Sequence, residues 1–320
     1  GENIQAWLAL AQDGLYEEAW QELVTNNPLP AIHGRVCYHP CEDGCNRKQM
    51  DTSVSIHSVE RFLGDLAIEK NWQVKYAPLP GGKKVLVIGA GPSGLSAAYH
   101  LARLGHQVEI FEAGPLAGGM MHFGIPAYRL PRNIISAEIQ RIENMGVKIH
   151  LNRKVEDVVQ AKQEGNFDAV FVAVGAHIGK KTNIPARDAG QILDAVSFLK
   201  DVELGNTPKL GRRVAIYGGG NTAMDAARIA KRIGVDEAMI IYRRDREHMP
   251  AHDFEADEAL SEGVKIHWLR TIKDINQSTF TVEVMRVENG RPVPTGEYET
   301  LEADALILAL GQDTDTDFLR

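Results

Sequence analysis

The run Gly89-Ala90-Gly91-Pro92-Ser93-Gly94 has the residue types needed to cradle a pyrophosphate. In such a loop the first glycine permits a tight turn, the second lets the backbone approach the phosphates, and the third lets a helix pack closely on a strand. A helix that opens there adds free N–H groups and the positive end of its dipole. Glu112 follows 23 residues after Gly89, close to the interval expected of an acid that binds ribose hydroxyls. A second loop reads Gly218-Gly219-Gly220-Asn221-Thr222-Ala223, with alanine at the third glycine's place, a replacement this pattern tolerates. No acid closes the strand after it, which ends Tyr242-Arg243-Arg244. An arginine there can pair with a 2′-phosphate that an acid would repel, which favours NADPH over NADH. The plainer accounts are solvated charges, partners for Asp245 and Glu247, or a stack on adenine.

Both loops need a strand before them and a helix after them. Val85–Ile88 is a short apolar strand, a helix is predicted from Gly94 to Leu104, Gly105 stops it, and Val108–Phe111 is the next strand. The pattern returns as a strand over Arg213–Tyr217, a helix over Asp225–Ile233, a stop at Gly234 and a strand over Ala238–Tyr242. Two copies of one βαβ unit predict two bound dinucleotides. Two apolar segments match each other, Phe167 to Gly175 and Ala303-Asp304-Ala305-Leu306-Ile307-Leu308-Ala309-Leu310-Gly311. Each reads as a buried parallel strand ending in glycine where the chain meets a cofactor. Before Pro78–Gly82, a linker signal, residues 1–78 read as helical, with apolar spacing over Ala6–Leu10, Tyr16–Leu23 and Val54–Trp72 and a breaker at Asn26–Pro30.

Composition narrows the class. The chain has 320 residues, 44% hydrophobic and 24% charged, with a formal net charge of -8, which argues against non-specific nucleic-acid binding. The longest apolar run, Ala305–Leu310, is strand-sized and far short of the roughly 20 residues that span a bilayer. Gly1–Leu10 lacks the pattern of an export signal, and three cysteines, Cys37, Cys41 and Cys45, are too few for a disulfide framework. The expectation is a cytoplasmic protein with reduced thiols. The cysteines are four apart, a spacing that places them on one face of a helix, although Pro40 and Gly44 disfavour a regular one. His33, His39 and His57 flank them and read first as surface or packing residues.

Gly118-Gly119-Met120-Met121-His122-Phe123-Gly124-Ile125-Pro126-Ala127-Tyr128-Arg129-Leu130-Pro131 resembles the flavin-side segment of the glutamate synthase small-subunit family. That family includes the NADPH end of dihydropyrimidine dehydrogenase and the large subunit of NADH-dependent ferredoxin:NADP oxidoreductase. Gly218–Asp225, Tyr242-Arg243-Arg244 and Met249-Pro250-Ala251 resemble its nucleotide-binding half, and Gly34-Arg35-Val36-Cys37 with Cys41, Glu42 and Cys45 its iron–sulfur segment. The resemblance covers nearly the whole chain. It implies FAD contacts at Gly89–Gly94, Glu112, Gly119, Met120, Arg129, Val155 and Gly175. It implies contacts to NADP (alternatively NAD) at Gly218–Ala223, Arg243 and Arg244, with Ala309, Leu310 and Gly311 at the nicotinamide end. No acid–base residue is implied, because hydride transfer is the cofactors' own chemistry.

Flavin disulfide reductases carry a cysteine pair where this chain has Gly119-Met120-Met121-His122, so a redox-active disulfide is excluded there and electrons must leave the flavin another way. In the resembling family they pass to iron–sulfur clusters. A 4Fe-4S cluster usually takes four thiolates, and this chain has three cysteines. Another residue or a partner chain could supply a ligand, or the three could be plain thiols. The expected fold is α/β. A small helical domain over 1–78 resembles an iron–sulfur domain. An FAD-binding Rossmann-like domain spans 82–205 and resumes over 303–320, breaking off before the family's closing segment. An NAD(P)H-binding Rossmann-like domain spans 206–302. The expected role is an electron-input subunit in a hetero-oligomer, passing electrons between NADPH (or NADH), FAD and an iron–sulfur partner. The rival is a nucleotide-binding scaffold without turnover. A flavin monooxygenase fits less well with the helical segment and its cysteines.

Overall fold

The computed structural model describes residues 2–180, 182–187 and 190–319. Gly1 and Arg320, the outer bounds of the expected domains, lie outside the described residues. The chain divides into two compact units, Gly1–Gly175 with Thr316–Arg320, and Ala176–Asp315.

The first unit opens with five helices, α1 (Ile4–Gln12), α2 (Tyr16–Leu23), α3 (Pro30–Val36), α4 (Pro40–Asp43) and α5 (Ile56–Glu69). A parallel sheet follows, made of β1 (Lys84–Ile88), β2 (Gln107–Phe111), β3 (Lys148–His150) and β4 (Ala169–Val172) in the order β3-β2-β1-β4. Helices α6 (Pro92–Arg103), α7 (Met120–Phe123), α8 (Arg132–Glu143) and α9 (Val158–Glu164) connect them. β1 is buried at Val85 to Ile88, as expected of a central parallel strand. α6 begins two residues earlier than its apolar pattern predicts, because Pro92 suits the first helical turn.

The buried core of the helices of residues 1–78 is continuous with that of the sheet domain after them. Trp7, Trp20, Leu23 and Leu63 belong to the same buried cluster as Val87, Leu95, Ile110 and Ile135. Tyr99 Oη donates to Val24 O at 2.6 Å, and the Arg141 guanidinium lies 4.8 Å from the Trp20 ring centroid. Glu138, fully buried, accepts from Ala31 N at 2.9 Å and pairs with Arg141. The linker Pro78–Gly82 thus joins two parts of one packed body, since both bury apolar surface against the same helices.

The second unit carries β5 (Ile178–Gly179), β6 (Ala186–Arg187), β7 (Gln191–Asp194), α10 (Ala195–Glu203), β8 (Arg213–Tyr217), α11 (Asn221–Arg232), β9 (Glu237–Tyr242), α12 (Asp253–Ser261), β10 (Lys265–Trp268), β11 (Arg270–Asn276), β12 (Thr279–Glu288), β13 (Arg291–Glu302), β14 (Ala305–Leu308) and β15 (Gln312–Asp313). Its main sheet is parallel, in the order β10-β9-β8-β14-β7. A second sheet, β13-β12-β11-β6, is antiparallel through its three long strands and was not expected, although Asn289-Gly290, the two-residue turn between β12 and β13, is a hairpin signal. A short antiparallel pair, β5 and β15, completes the unit.

Two expected boundaries shift. The first domain does not run to 205, because β7 and α10 belong to the second unit. It does not resume at Ala303 either. β14 hydrogen-bonds to β8 in full register, Ala305 opposite Val214 through Leu308 opposite Tyr217, so the chain returns to the first unit only at Thr316. There Phe318 packs against the cluster of Leu86, Ile88, Phe111, Val155 and Phe167.

Glu60 is buried and accepts from Asn27 Nδ2 at 2.6 Å. Burial pushes its carboxyl up to about 8, with the charge of Glu2 adding to the shift. A carboxyl raised on folding holds its proton more tightly in the native state. Its contribution is therefore full below the unfolded value near 4.5 and is lost as pH rises through about 8. Urea unfolding of the Glu60→Gln variant should show this loss removed, leaving it more stable than the parent at pH 8 by on the order of 3 kcal/mol.

Candidate functional site

The first loop has the geometry its sequence predicts. Gly89 has φ +103°, donates to Phe111 O at 2.8 Å, and leaves no room for a Cβ, which would lie 2.5 Å from Ala173 O. Gly91 caps α6 in ordinary extended backbone, and the nearest atom a Cβ would meet there is Gly119 Cα, at 4.0 Å. Open space therefore lies in front of the helix N-terminus, where the orphan N–H groups of a first turn need an acceptor. Ala90, Pro92, Ser93 and Gly94 complete that turn, and Gly94 packs against Gly89 O and Val87.

Glu112 stands beside the loop. Its carboxylate accepts from Ala90 N and Gly114 N, each at 2.7 Å, which fixes it at the end of β2. Gly118 N donates to Ala90 O at 2.8 Å, so Gly119 and Met120 are drawn to the same mouth. Arg129 lies past α7 and is half-buried. Val155 is buried in the apolar cluster behind the strand ends, so only its backbone can face a ligand. Gly175 has φ +67° and is exposed past the end of β4. Arg153, which sequence reasoning passed over, stacks 3.6 Å from the Phe111 ring centroid.

The second loop repeats this at the C-terminal ends of β8, β9 and β14, the end of a parallel sheet at which dinucleotides bind. Gly218 has φ +147° and abuts Ala309 O, and Gly219 packs on the Tyr242 ring. Gly220 caps α11 with no atom within 4 Å of a built Cβ, as at Gly91. Asn221 opens α11 and accepts from His252 N at 3.2 Å, Thr222 is half-buried, and Ala223 is buried beneath the helix. A cleft of about 530 Å³ lies over the loop, lined by Gly218–Gly220, Tyr217, Tyr242, Arg243, Arg244, Ala309–Gly311, Lys180, Thr182 and Pro250.

The arginines in this cleft have no acid of their own. Asp245 instead accepts from His248, from N at 3.0 Å and from Nδ1 at 2.7 Å, which holds its carboxyl below the usual range. Among the described residues neither Arg243 nor Arg244 forms an ion pair, and Arg244 Nε is buried without a hydrogen-bond partner. Arg243 and Arg244 both line the cleft, where their guanidinium groups fit an anionic ligand. The open cradles at Gly91 and Gly220 likewise fit two pyrophosphates. Tyr217, Tyr242, Lys180 and Thr182 were missed in the sequence. The tyrosines close strands β8 and β9 and could have been read from that position. The lysine is brought to Gly311 by the pairing of β5 with β15, which no local pattern in the sequence marks.

The three cysteines are free thiols and do not share one helix face, since only Cys41 lies in a helix, the short α4. Pro40 starts the short α4, leaving Cys37 before it and Cys45 after it, both in extended backbone. Nearby backbone N–H groups, that of Val54 first, hold the Cys45 thiol below its ordinary value. Burial and the charge of Glu42 push Cys41 up. His39 N donates to Cys37 Sγ at 3.3 Å. Sulfurs that accept backbone N–H groups suit metal thiolates, so the segment fits an iron–sulfur group through three of its ligands. Beside it His39 and His57 stack at 4.0 Å, and Glu42 accepts from His57 Nδ1 at 2.7 Å. These two histidines thus belong to a polar cluster with Glu42, while His33 is a packing residue with Nδ1 2.7 Å from Asn27 Oδ1.

The fold and both sites define a two-dinucleotide oxidoreductase. Superposition on Mycobacterium tuberculosis FprA in complex with NADPH gives a TM-score of 0.63 at 20% identity, over 72% of this chain and 71% of that one, and supports the fold. Residues 83–320 match the pyridine nucleotide-disulphide oxidoreductase family, and residues 1–72 match the 4Fe-4S domain II of dihydropyrimidine dehydrogenase. The chain is 33% identical to the glutamate synthase [NADPH] small chain of Escherichia coli, over 96% of this chain and 71% of that protein. It is 38% identical to the NADP(+)-dependent formate dehydrogenase subunit beta of Moorella thermoacetica, over 99% of this chain and 50% of that one. The chain belongs to the pyridine nucleotide-disulphide oxidoreductases, in the group that contains the glutamate synthase small chain. FAD and NADP are the cofactors of that class. The chain spans about half the length of the first curated relatives it matches.

The two kinds of glycine should separate by substitution. Gly89→Ala should cost about 2–4 kcal/mol in urea unfolding, from the left-handed backbone and the clash with Ala173. Gly91→Ala should unfold like the parent yet lose bound flavin, read as the ratio of flavin to protein absorbance, because its Cβ fills the space before the helix.

Proposed function

We propose that this chain is the electron-input part of an iron–sulfur flavoenzyme, taking electrons from NADPH at FAD and passing them to an iron–sulfur partner subunit. The observation that carries the NADPH half is the cleft at β8, β9 and β14, where Arg243 and Arg244 form no ion pair among the described residues. When bound, the nicotinamide and flavin supply the hydride chemistry. The protein's own work is binding and orientation.

Gly218–Ala223 would hold the NADP pyrophosphate against the N-terminus of α11, with Arg243 and Arg244 on the 2′-phosphate and Ala309–Gly311 under the nicotinamide end. Gly89–Gly94 would hold the FAD pyrophosphate and Glu112 the adenosine ribose, while Gly119, Met120, Arg129, Val155 and Gly175 would line the rest. Cys37, Cys41 and Cys45 would give three ligands to a 4Fe-4S cluster, with the fourth from outside this set. Two of the relatives are named as subunits, one of a formate dehydrogenase and one of an NADPH-Fe(3+) oxidoreductase, which supports a hetero-oligomer. Among the described residues no helix is long and apolar enough to cross a membrane. A cytoplasmic location is part of the proposal.

An anaerobic absorbance spectrum tests the reading. Flavin bands near roughly 380 and 450 nm should bleach on titration with NADPH. A colourless protein unchanged by added FAD would favour the scaffold. Replacing Arg243 and Arg244 together by alanine should weaken NADPH by about 100-fold while changing NADH by less than about threefold. An equal loss for both would sink the 2′-phosphate assignment.

A further inference from the structure

The arginines stand on only one side of the cleft. They follow β9, whereas the glycine loop follows β8 and Ala309–Gly311 follow β14, on the other side of β8. Neighbouring strands lie about 4.8 Å apart, so the cleft runs roughly 10 Å from the arginine side to the Gly311 side. A dinucleotide laid across these strand ends, with its 2′-phosphate over β9 and its pyrophosphate over the loop, brings its nicotinamide half to β14.

Among the described residues one cation, Lys180, lines the cleft on that far side. Lys180 N donates to Gly311 O at 3.0 Å, extending the β5–β15 pair in which Gly179 opposes Gln312 and Ile178 opposes Asp313. Its Cδ lies 3.8 Å from the point a Cβ on Gly311 would occupy, so the stem crosses over that glycine. The ammonium stands 3.3 Å from Asp313 Oδ1, and both side chains are about half exposed or more. An exposed pair of this kind contributes little, so the lysine can leave Asp313 at small cost. A phosphate bearing on the cleft is a stronger acceptor than a solvated carboxylate, and the positively charged nicotinamide ring of NADP+ would not itself attract a cation.

We propose that Lys180 holds the nicotinamide-side phosphate of the bound dinucleotide, exchanging Asp313 for it. The inference rests on the reading of this cleft as the NADP site. It divides the labour between cations: Arg243 and Arg244 select the 2′-phosphate, while Lys180 binds a group that NADPH and NADH share. Lys180 therefore adds affinity without adding discrimination.

Dissociation constants measured on the full chain for NADP+, NAD+ and 2′,5′-ADP separate the possibilities, because 2′,5′-ADP lacks the nicotinamide-side phosphate. Lys180→Gln should weaken NADP+ and NAD+ alike, by about fivefold to tenfold, and leave 2′,5′-ADP within about twofold. Lys180→Arg should keep most of the parent affinity. The double arginine variant should weaken NADP+ and 2′,5′-ADP but spare NAD+. If Lys180→Gln binds NADP+ like the parent while the arginine variant is impaired, the lysine proposal falls and the cleft stands. Lys180→Arg as weak as Lys180→Gln would also overturn it, since charge would not be the cause. Loss of 2′,5′-ADP equal to that of NADP+ would place Lys180 elsewhere than on the nicotinamide-side phosphate. No effect of either variant on any nucleotide would overturn the cleft itself along with the lysine.

Discussion

A helix that begins without a side chain in front of it is the constraint on which both halves of this protein turn. At Gly91 and at Gly220 the backbone is ordinary, and any residue could adopt it. What glycine provides there is space before a row of N–H groups that the helix cannot satisfy internally. The glycines just upstream, Gly89 and Gly218, do the other part of the task by turning the chain in a conformation that side chains resist, hard against the next strand's carbonyl. Strand, turn, open cradle and helix are thus one device built twice, and the electropositive cradle suits the anionic middle of a dinucleotide.

What distinguishes the two copies is the residue at the tip of the following strand. Glu112 accepts two backbone N–H groups and presents a fixed carboxylate beside the first cradle. Beside the second, Arg243 and Arg244 present cations, and the carboxylate of the adjacent Asp245 is engaged by His248. The same backbone frame thus serves two ligands that differ in where their charge lies.

The N-terminal helices show how a binding segment is held through a core that it shares with its neighbour. Their tryptophans and leucines are buried with the first sheet's helices, and Glu138 and Arg141 on α8 reach into them. The cysteine loop is thereby fastened to the first dinucleotide-binding unit rather than carried on a linker. Around α4, nearby backbone N–H groups favour the Cys45 thiolate, whereas burial and the charge of Glu42 oppose one at Cys41. The three sulfurs are therefore unequal before any metal is considered.

Much of the site was legible in the sequence because it is local. A loop of six residues between a strand and a helix carries its turn, cradle and packing constraints within itself, and a strand end lies at a nearly fixed distance beyond. For that reason Gly89–Gly94, Glu112, Gly218–Ala223 and the arginine pair could be found by spacing alone. The tertiary structure decided what depends on pairing between distant segments. Strand β14 looks in sequence like the strand after Phe167, yet its hydrogen bonds to β8 assign it to the second unit and carry Gly311 to the second cradle. The antiparallel sheet of β11, β12 and β13 has one local mark, Asn289-Gly290 with both residues at positive φ between β12 and β13, but its pairing with β6 across the chain has none. Lys180 reaches the cleft only because β5 pairs with β15, more than a hundred residues away, and no local pattern encodes a partner at that separation.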